Sequence, residues 1–269
     1  MDSGCDRMDF IVLASGSKGN ATILKHGERR YLVDAGISLR MMQSRLSIKN
    51  DRLDRLDGIF VTHEHTDHIS FLVALVNKFH CPVYLTEGTK RNLSRVIREN
   101  LKEDDYRVIG FDEPLLLEDF AVMAFPTYHD ALEPCGYKFA VGGKTLVYMT
   151  DTGYFPDDRI DAIRNADAYI LEANHDPEML LESDRPWLLK RRILDDQGHL
   201  SNADSAFLAL NLAGDRTRLI MLAHLSQECN TPEKALETYY GVFAEQGVSP
   251  GQYRIICALQ NEPMEIVSL

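Results

Sequence analysis

Residues Thr62 to Ile69 read THEHTDHI, which gathers His63, His65 and His68 with Glu64 and Asp67 in one short segment. Imidazoles and carboxylates at this spacing are the donor set of a divalent metal site. The apolar run Gly58 to Val61 leads into the segment, and Ile69, Leu72, Val73, Val76 and Phe79 follow it at helical spacing, so the pattern predicts a strand-to-helix turn. In the extended part alternate side chains point the same way, which lets His63 and His65 share one ion. The turn into the helix then re-aims Asp67 and His68 toward a second. The metalloprotease pattern HExxH begins at His63 and Glu64 but fails, because the fourth residue after His63 is Asp67.

The elements that must position such a site announce themselves by repetition. Six apolar, β-branched runs each stop at a residue able to bind metal or orient a ligand: YLVD at Asp34, GIFVTH at His63, FAVMAFPTYH at His129, TLVYMTD at Asp151, AYILE at Glu172 and LIMLAH at His224. One rim of a sheet assembly, where strands end, is therefore expected to carry a polar cluster drawn from the whole chain. Amphipathic stretches lie between, at Ser38 to Leu46, Ile69 to Phe79, Thr89 to Leu101, Asp157 to Arg164, Ser201 to Ala213 and Pro232 to Glu245. Hairpin signals at Gly27-Glu28 and Gly142-Gly143 imply antiparallel or mixed sheets. Two such sheets face to face with helices outside make a four-layer αββα sandwich of α/β class.

Composition narrows the setting. At 269 residues the chain is long enough for a sizeable core, and residues 1–269 read as one domain without repeats or low-complexity segments. No apolar run approaches the roughly 20 residues needed to cross a bilayer, and MDSGCDRMDF lacks an export-type apolar stretch, so a cytoplasmic protein without membrane partners is expected. Cys5, Cys81, Cys135, Cys229 and Cys257 are odd in number and lack a CxxC pair, which argues against disulfides or a thiolate zinc site. A net charge of -12 argues against a protein that coats nucleic acid nonspecifically, but does not exclude a nuclease whose bound ions and local basic run supply the positive charge.

The HxHxDH turn, then a lone histidine, an aspartate after a strand and a final histidine after a strand, resembles the metallo-β-lactamase superfamily over essentially the whole chain. More narrowly, SGSKGNAT at 15–22, DAG at 34–36, LEANHD at 171–176, PWLLKRRI at 186–193, GHLSN at 198–202 and HLSQECN at 224–230 resemble the YycJ/WalJ family. The resemblance implies a two-metal phosphodiesterase acting as a 5′ to 3′ DNA exonuclease through a metal-bridging hydroxide, with no β-CASP insert. Carried over, it assigns one ion to His63, His65 and His129, a second to Asp67, His68 and His224, and the bridge to Asp151. Asp34 matches the first motif aspartate, which supports the ligands from behind; a turn residue before Gly36 is the competing reading. The donor set suits zinc, manganese or iron, and the resemblance tilts toward manganese.

Two divalent ions roughly 3.5 to 4 Å apart can activate water and clamp an in-line displacement at phosphorus, so no serine or cysteine nucleophile is needed. A nuclease must also hold phosphate and stabilise the departing oxygen. Ser201 followed by Asp204 reads as a capping box, which places His199 just before a helix start favourable to anions. There His199 binds phosphate or protonates the leaving group. GHLSN and HLSQ also resemble segments of ribonuclease Z, whose acidic partner of this histidine matches Glu172. Asp67, His199 and Glu172 are the catalytic candidates. Capping and solvation by His199 and Glu172 is the plainer alternative. Lys190, Arg191, Arg192, Ser201 and Asn202 are candidate nucleic-acid contacts, DNA being favoured over RNA. His26 and His80 read as surface residues, His175 has no fixed role, and SGSKGN needs no ligand as a hairpin entry.

Other members of the superfamily compete. A β-lactamase is expected to be exported and commonly has cysteine where this chain has Asp151. A glyoxalase II-like thioester hydrolase shares the metal set but requires neither GHLSN nor the basic run. Flavodiiron reductases need an attached flavin domain, and ribonuclease J inserts a large domain between the Asp151 motif and the later histidines. A ribonuclease of compact form and a non-catalytic, metal-stabilised scaffold complete the alternatives.

Overall fold

The computed structural model describes residues 7–118, 120–249 and 251–269; Cys5 lies outside them. The chain opens with strands β1 (Met8–Ala14), β2 (Ala21–His26) and β3 (Arg29–Val33), then helix α1 (Leu39–Ile48), β4 (Gly58–Phe60), α2 (Thr66–Ile69) and α3 (Leu72–Phe79). Next come β5 (Val83–Leu85), α4 (Glu87–Asn92), α5 (Arg95–Asn100), β6 (Tyr106–Val108), β7 (Pro114–Leu117), β8 (Phe120–Pro126), β9 (Cys135–Val141) and β10 (Lys144–Met149). The last part holds α6 (Ile160–Ile163), β11 (Ala168–Glu172), α7 (Pro177–Glu182), α8 (Trp187–Leu194), α9 (Asn202–Leu212), β12 (Leu219–Ala223), α10 (Pro232–Glu245), β13 (Arg254–Cys257) and β14 (Val267–Ser268).

These strands form two seven-stranded sheets, ordered β14-β1-β2-β3-β4-β5-β6 and β13-β12-β11-β10-β9-β8-β7. Each starts as an antiparallel meander and continues in parallel, from β3 onto β4, β5 and β6 in one sheet and from β10 onto β11, β12 and β13 in the other. The strands are apolar on both faces because both faces are covered. Along β1, Phe10 and Val12 point between the sheets while Ile11 and Leu13 pack outward beneath the helices. The inter-sheet layer is aromatic: Tyr31 stacks on Phe120 with centroids 4.9 Å apart, and Phe60 meets Phe139 at 5.4 Å. Val147, Tyr169 and Leu222 pack outward against Ala206 and Ala209 of α9 and Tyr239 and Phe243 of α10, which completes the αββα order.

Helix boundaries follow their caps. Ser38, Ser201 and Thr231 each accept a backbone N–H from the third residue on, and Pro232 occupies the first turn of α10, where its missing donor costs nothing. Two expected helices are broken. Thr89 to Leu101 divides at Leu93, where Ser94 starts α5 with its own cap, and Ile69 to Phe79 divides at Ser70-Phe71, where the Phe71 N–H bonds Ala35 O instead of continuing the helix. His26 is also not a surface residue: it ends β2 buried, with Nδ1 at 3.1 Å from Arg7 O. The described cysteines, Cys81, Cys135, Cys229 and Cys257, are free and buried. Among the described residues no helix is long and apolar enough to cross a membrane.

Two glycines test the local packing. A Cβ on Gly36 would lie 1.8 Å from Asp67 O, whereas one on Gly241 in α10 would meet open space. Gly36→Ala is expected to lower the melting temperature and Gly241→Ala to raise it, the latter by about 0.5–1 kcal/mol of stability. Denaturant melts of both variants check this.

Candidate metal centre

The parallel strands deliver the site from their C-terminal ends, as open α/β sheets do. Asp34 follows β3, the Thr62 to His68 turn follows β4, Asp151 follows β10, Glu172 ends β11 and His224 follows β12; His129 follows the antiparallel β8. Asp34, Asp151 and His224 leave their strands with φ of 60°, 58° and 55°, a left-handed conformation that non-glycine residues adopt at a cost. Each turn of this kind swings a side chain off the strand and across the rim.

Four groups of donors converge there, each with its atoms within 4.8 Å of one another: His63, His65 and His129; His63, His68 and Asp151; Asp67, His68 and His224; and Asp151, Glu172, His199 and His224. Most of the rings are held by one nitrogen and offer the other. His63 Nδ1 lies 3.0 Å from Thr62 Oγ1, His68 Nδ1 2.8 Å from Asp34 Oδ2, His129 Nδ1 2.9 Å from Gly198 O and His224 Nδ1 3.1 Å from Glu172 Oε1. Asp34 is itself fixed, accepting the Thr62 N–H at 2.9 Å. Such outer partners set ring tautomer and aim.

Electrostatics agree with a cation at the centre. Burial holds the His63 and His129 imidazoles below the ordinary histidine range, so both are neutral donors. Burial alone would also lower His68 and His224, yet carboxylates outweigh it: Asp34, Asp151 and Asp67 raise His68, and Asp151, Asp67 and Glu172 lift His224 to about 10. Negative charge that draws a proton onto these rings also draws a divalent ion. His63 Nε2, His224 Nε2 and Asp151 Oδ2 are buried without hydrogen-bond partners, a costly arrangement in an apolar interior unless something else fills their lone pairs. The residues fit a divalent metal.

Beside these groups, His199 Nδ1 lies 2.7 Å from Glu172 Oε1, and Glu172 Oε2 accepts the Thr152 N–H at 2.9 Å. Burial pushes the Glu172 carboxyl up, but His199 and His224 overcome this and hold it down at about 2. A cavity of about 390 Å³ opens over the cluster, lined by His65, Asp67, His129, Asp151, His199 and His224.

Residues 29–224 match the Beta-lactamase superfamily domain. The chain is 38% identical over 245 residues to Exodeoxyribonuclease YycJ of Bacillus anthracis, covering 91% of this chain and 92% of that protein. It is 37% identical over 248 residues to Exodeoxyribonuclease WalJ of Streptococcus pneumoniae, covering 90% of each. The chain belongs to the YycJ/WalJ family of the metallo-β-lactamase superfamily. Solved structures share the fold: the metallo-β-lactamase fold protein YhfI of Bacillus subtilis matches with a TM-score of 0.70 at 19% identity over 96% of this chain and 99% of that one. Human tRNase Z, short form, matches with a TM-score of 0.64 at 19% identity, over 96% and 99%.

Within this YycJ/WalJ chain the expected residues divide by where their side chains go. His63, His65, Asp67, His68, His129, Asp151 and His224 meet at the rim, Asp34 stands behind His68, and Glu172 joins His199 to His224. Three expected nucleic-acid contacts turn inward instead. Lys190 is buried, its ammonium donating to Leu181 O and Ser183 O, because the end of α7 leaves carbonyls that need donors. Ser201 is consumed in capping α9, and Asn202 is fully buried against Asn230. Arg192 lines the cavity and pairs with Asp130, and Arg191 is exposed nearby. His175 is enclosed with both ring nitrogens unpartnered, burial taking its pKa down to about 4.

Several supporting residues escaped sequence reasoning. Asn20 donates its backbone N–H to Asp67 O at 2.8 Å and accepts the Gly16 N–H on its side-chain oxygen at 2.8 Å, and Gln260 clasps the same loop through Lys18 N and Gly19 O. Ser15 Oγ accepts the His224 N–H at 2.8 Å, and Asn174 Nδ2 donates to His224 O at 2.9 Å. The SGSKGN loop is thus a brace for Asp67 and His224. Its polarity was visible in sequence, but its direction was not.

Removing the brace behind His68 should be felt at the metal. Asp34→Asn is expected to weaken divalent-metal affinity about 10- to 100-fold without unfolding the chain, as loss of such an outer partner typically does. Competition with a chromogenic chelator measures it.

Proposed function

We propose that this protein is a two-metal phosphodiesterase that releases nucleotides from the 5′ end of DNA. The observation that carries the reading is the Glu172–His199 pair at 2.7 Å beside the donor-rich rim, in a chain related end to end to two exodeoxyribonucleases. His63, His65 and His129 would hold one ion and Asp67, His68 and His224 another, with Asp151 between the two sets; zinc, manganese and iron all suit these donors. Bound divalent ions supply Lewis acidity at the scissile phosphate and make water a better nucleophile at neutral pH.

The remaining work falls to the chain itself. With Nδ1 committed to Glu172, His199 offers Nε2 toward the cavity it lines, where it donates to phosphate or to the departing oxygen. Glu172 fixes its orientation. Since Ser201 and Asn202 are occupied in the fold, phosphate is gripped by His199 and the neighbouring Arg192 rather than by the start of α9.

His199→Ala is expected to retain two ions per chain by elemental analysis and to lose roughly 10²-fold or more in kcat on single-stranded DNA, as for an acid acting in the transition state. Loss of an ion would make His199 a ligand and overturn the assignment. End-labelled DNA and RNA, offered beside a thioester, test the substrate: stepwise release from a 5′ DNA end is expected. Release from the 3′ end refutes the polarity, and preferential thioester cleavage refutes the nuclease reading.

A further inference from the structure

The metal cavity does not end at the metal cluster. A second cavity, of about 400 Å³, is lined by Asp130, Leu188, Arg191, Arg192, Asp195 and Gln197, and Asp130, Arg192 and Gln197 line both. The two cavities adjoin at the Asp130–Arg192 pair, and the second lies against α8. Part of that helix is already committed to the fold, with Lys190 and Ile193 buried. The flank around the second cavity is not. Leu188, which lines that cavity, is 77% exposed, and Trp187, the single tryptophan of the chain, lies next to it outside both linings and is 61% exposed.

Helical spacing arranges these residues in a definite way. Trp187 and Arg191 are four apart, as are Leu188 and Arg192, so two apolar side chains lie one turn from two guanidinium groups on a single face. Apolar, aromatic surface next to cations is what a single strand requires, since bases stack on the former and phosphates meet the latter. In a chain with a net charge of -12, Arg192 is paired with Asp130 while Arg191 stands exposed one residue away, and a polyanion passing along the second cavity would meet that exposed guanidinium first.

We infer that the exposed face of α8, formed by Trp187, Leu188, Arg191 and Arg192, is the docking surface for the single DNA strand that continues away from the scissile phosphate, with a base stacked on Trp187. This rests on the nuclease reading above and names how that site takes its substrate. Stacking here contributes to binding a long strand and not to the bond-breaking step, so its loss appears in KM and grows with substrate length.

Because Trp187 is the only tryptophan, its emission reports on this face alone. Titrating the metal-loaded protein with a 12-nucleotide DNA strand of cleavage-resistant phosphorothioate linkages should quench and shift that emission. In parallel, Trp187→Ala and Leu188→Ala should raise KM for a 12-nucleotide substrate about tenfold, on the scale of one lost base stack, with kcat little changed. Hydrolysis of bis(4-nitrophenyl) phosphate, too short to reach α8, should be unaffected. Unchanged emission together with an unchanged KM overturns the inference while oligonucleotide cleavage by the parent protein leaves the nuclease reading standing. Equal losses on both substrates would assign Trp187 to support of the site, and a dimer dissolved by Trp187→Ala would give the face to a second copy; either result overturns it. If the parent protein cleaves thioesters and no oligonucleotide, both readings fall together.

Discussion

Two sheets that are apolar on both faces can bury themselves only by closing against each other and against helices, and polar side chains are then confined to the rims. That constraint sets everything else in this molecule. The aromatic layer of Tyr31, Phe60, Phe120 and Phe139 fixes the sheet separation, and the strand ends above it converge on one edge. Imidazoles and carboxylates brought so close, with so little water, must satisfy each other or a cation.

The satisfaction is hierarchical. Asp34, Thr62, Gly198 and Glu172 take one nitrogen of each of four histidines, leaving inward-facing atoms at the centre. Behind them, a loop from the first hairpin and a glutamine near the chain end hold the strand-to-helix turn in place. Glu172 belongs to both parts of the machinery, because one carboxylate oxygen faces His199 and His224 together. Metal affinity and the orientation of His199 are consequently not independent.

Much of this was legible in the sequence, and the exceptions are instructive. Runs that end in Asp34, His63, Asp151, Glu172 and His224 could be read because a buried strand has a continuous apolar signature and a donor at its end breaks it. Helix α10 was legible as the amphipathic stretch Pro232 to Glu245, which is its observed span. The three-residue strands β5 and β6 were not, since, unlike β4 of the same length, neither leads into a metal-type donor that marks its end. Lys190 and Asn202 misled for another reason: whether a polar side chain faces water or an orphan carbonyl depends on neighbours outside its own segment, Leu181 and Asn230 here. Asn20 was missed on the same grounds.

The left-handed turns at Asp34, Asp151 and His224 have a wider meaning. Asp34 is also tied to the fold through the Thr62 N–H, but at Asp151 and His224 a glycine would relieve backbone strain of about 1 kcal/mol or more each, so the more comfortable sequence at those two strand ends is one that has no site. Selection for thermal robustness alone would therefore erode this protein's chemistry first at its strand ends.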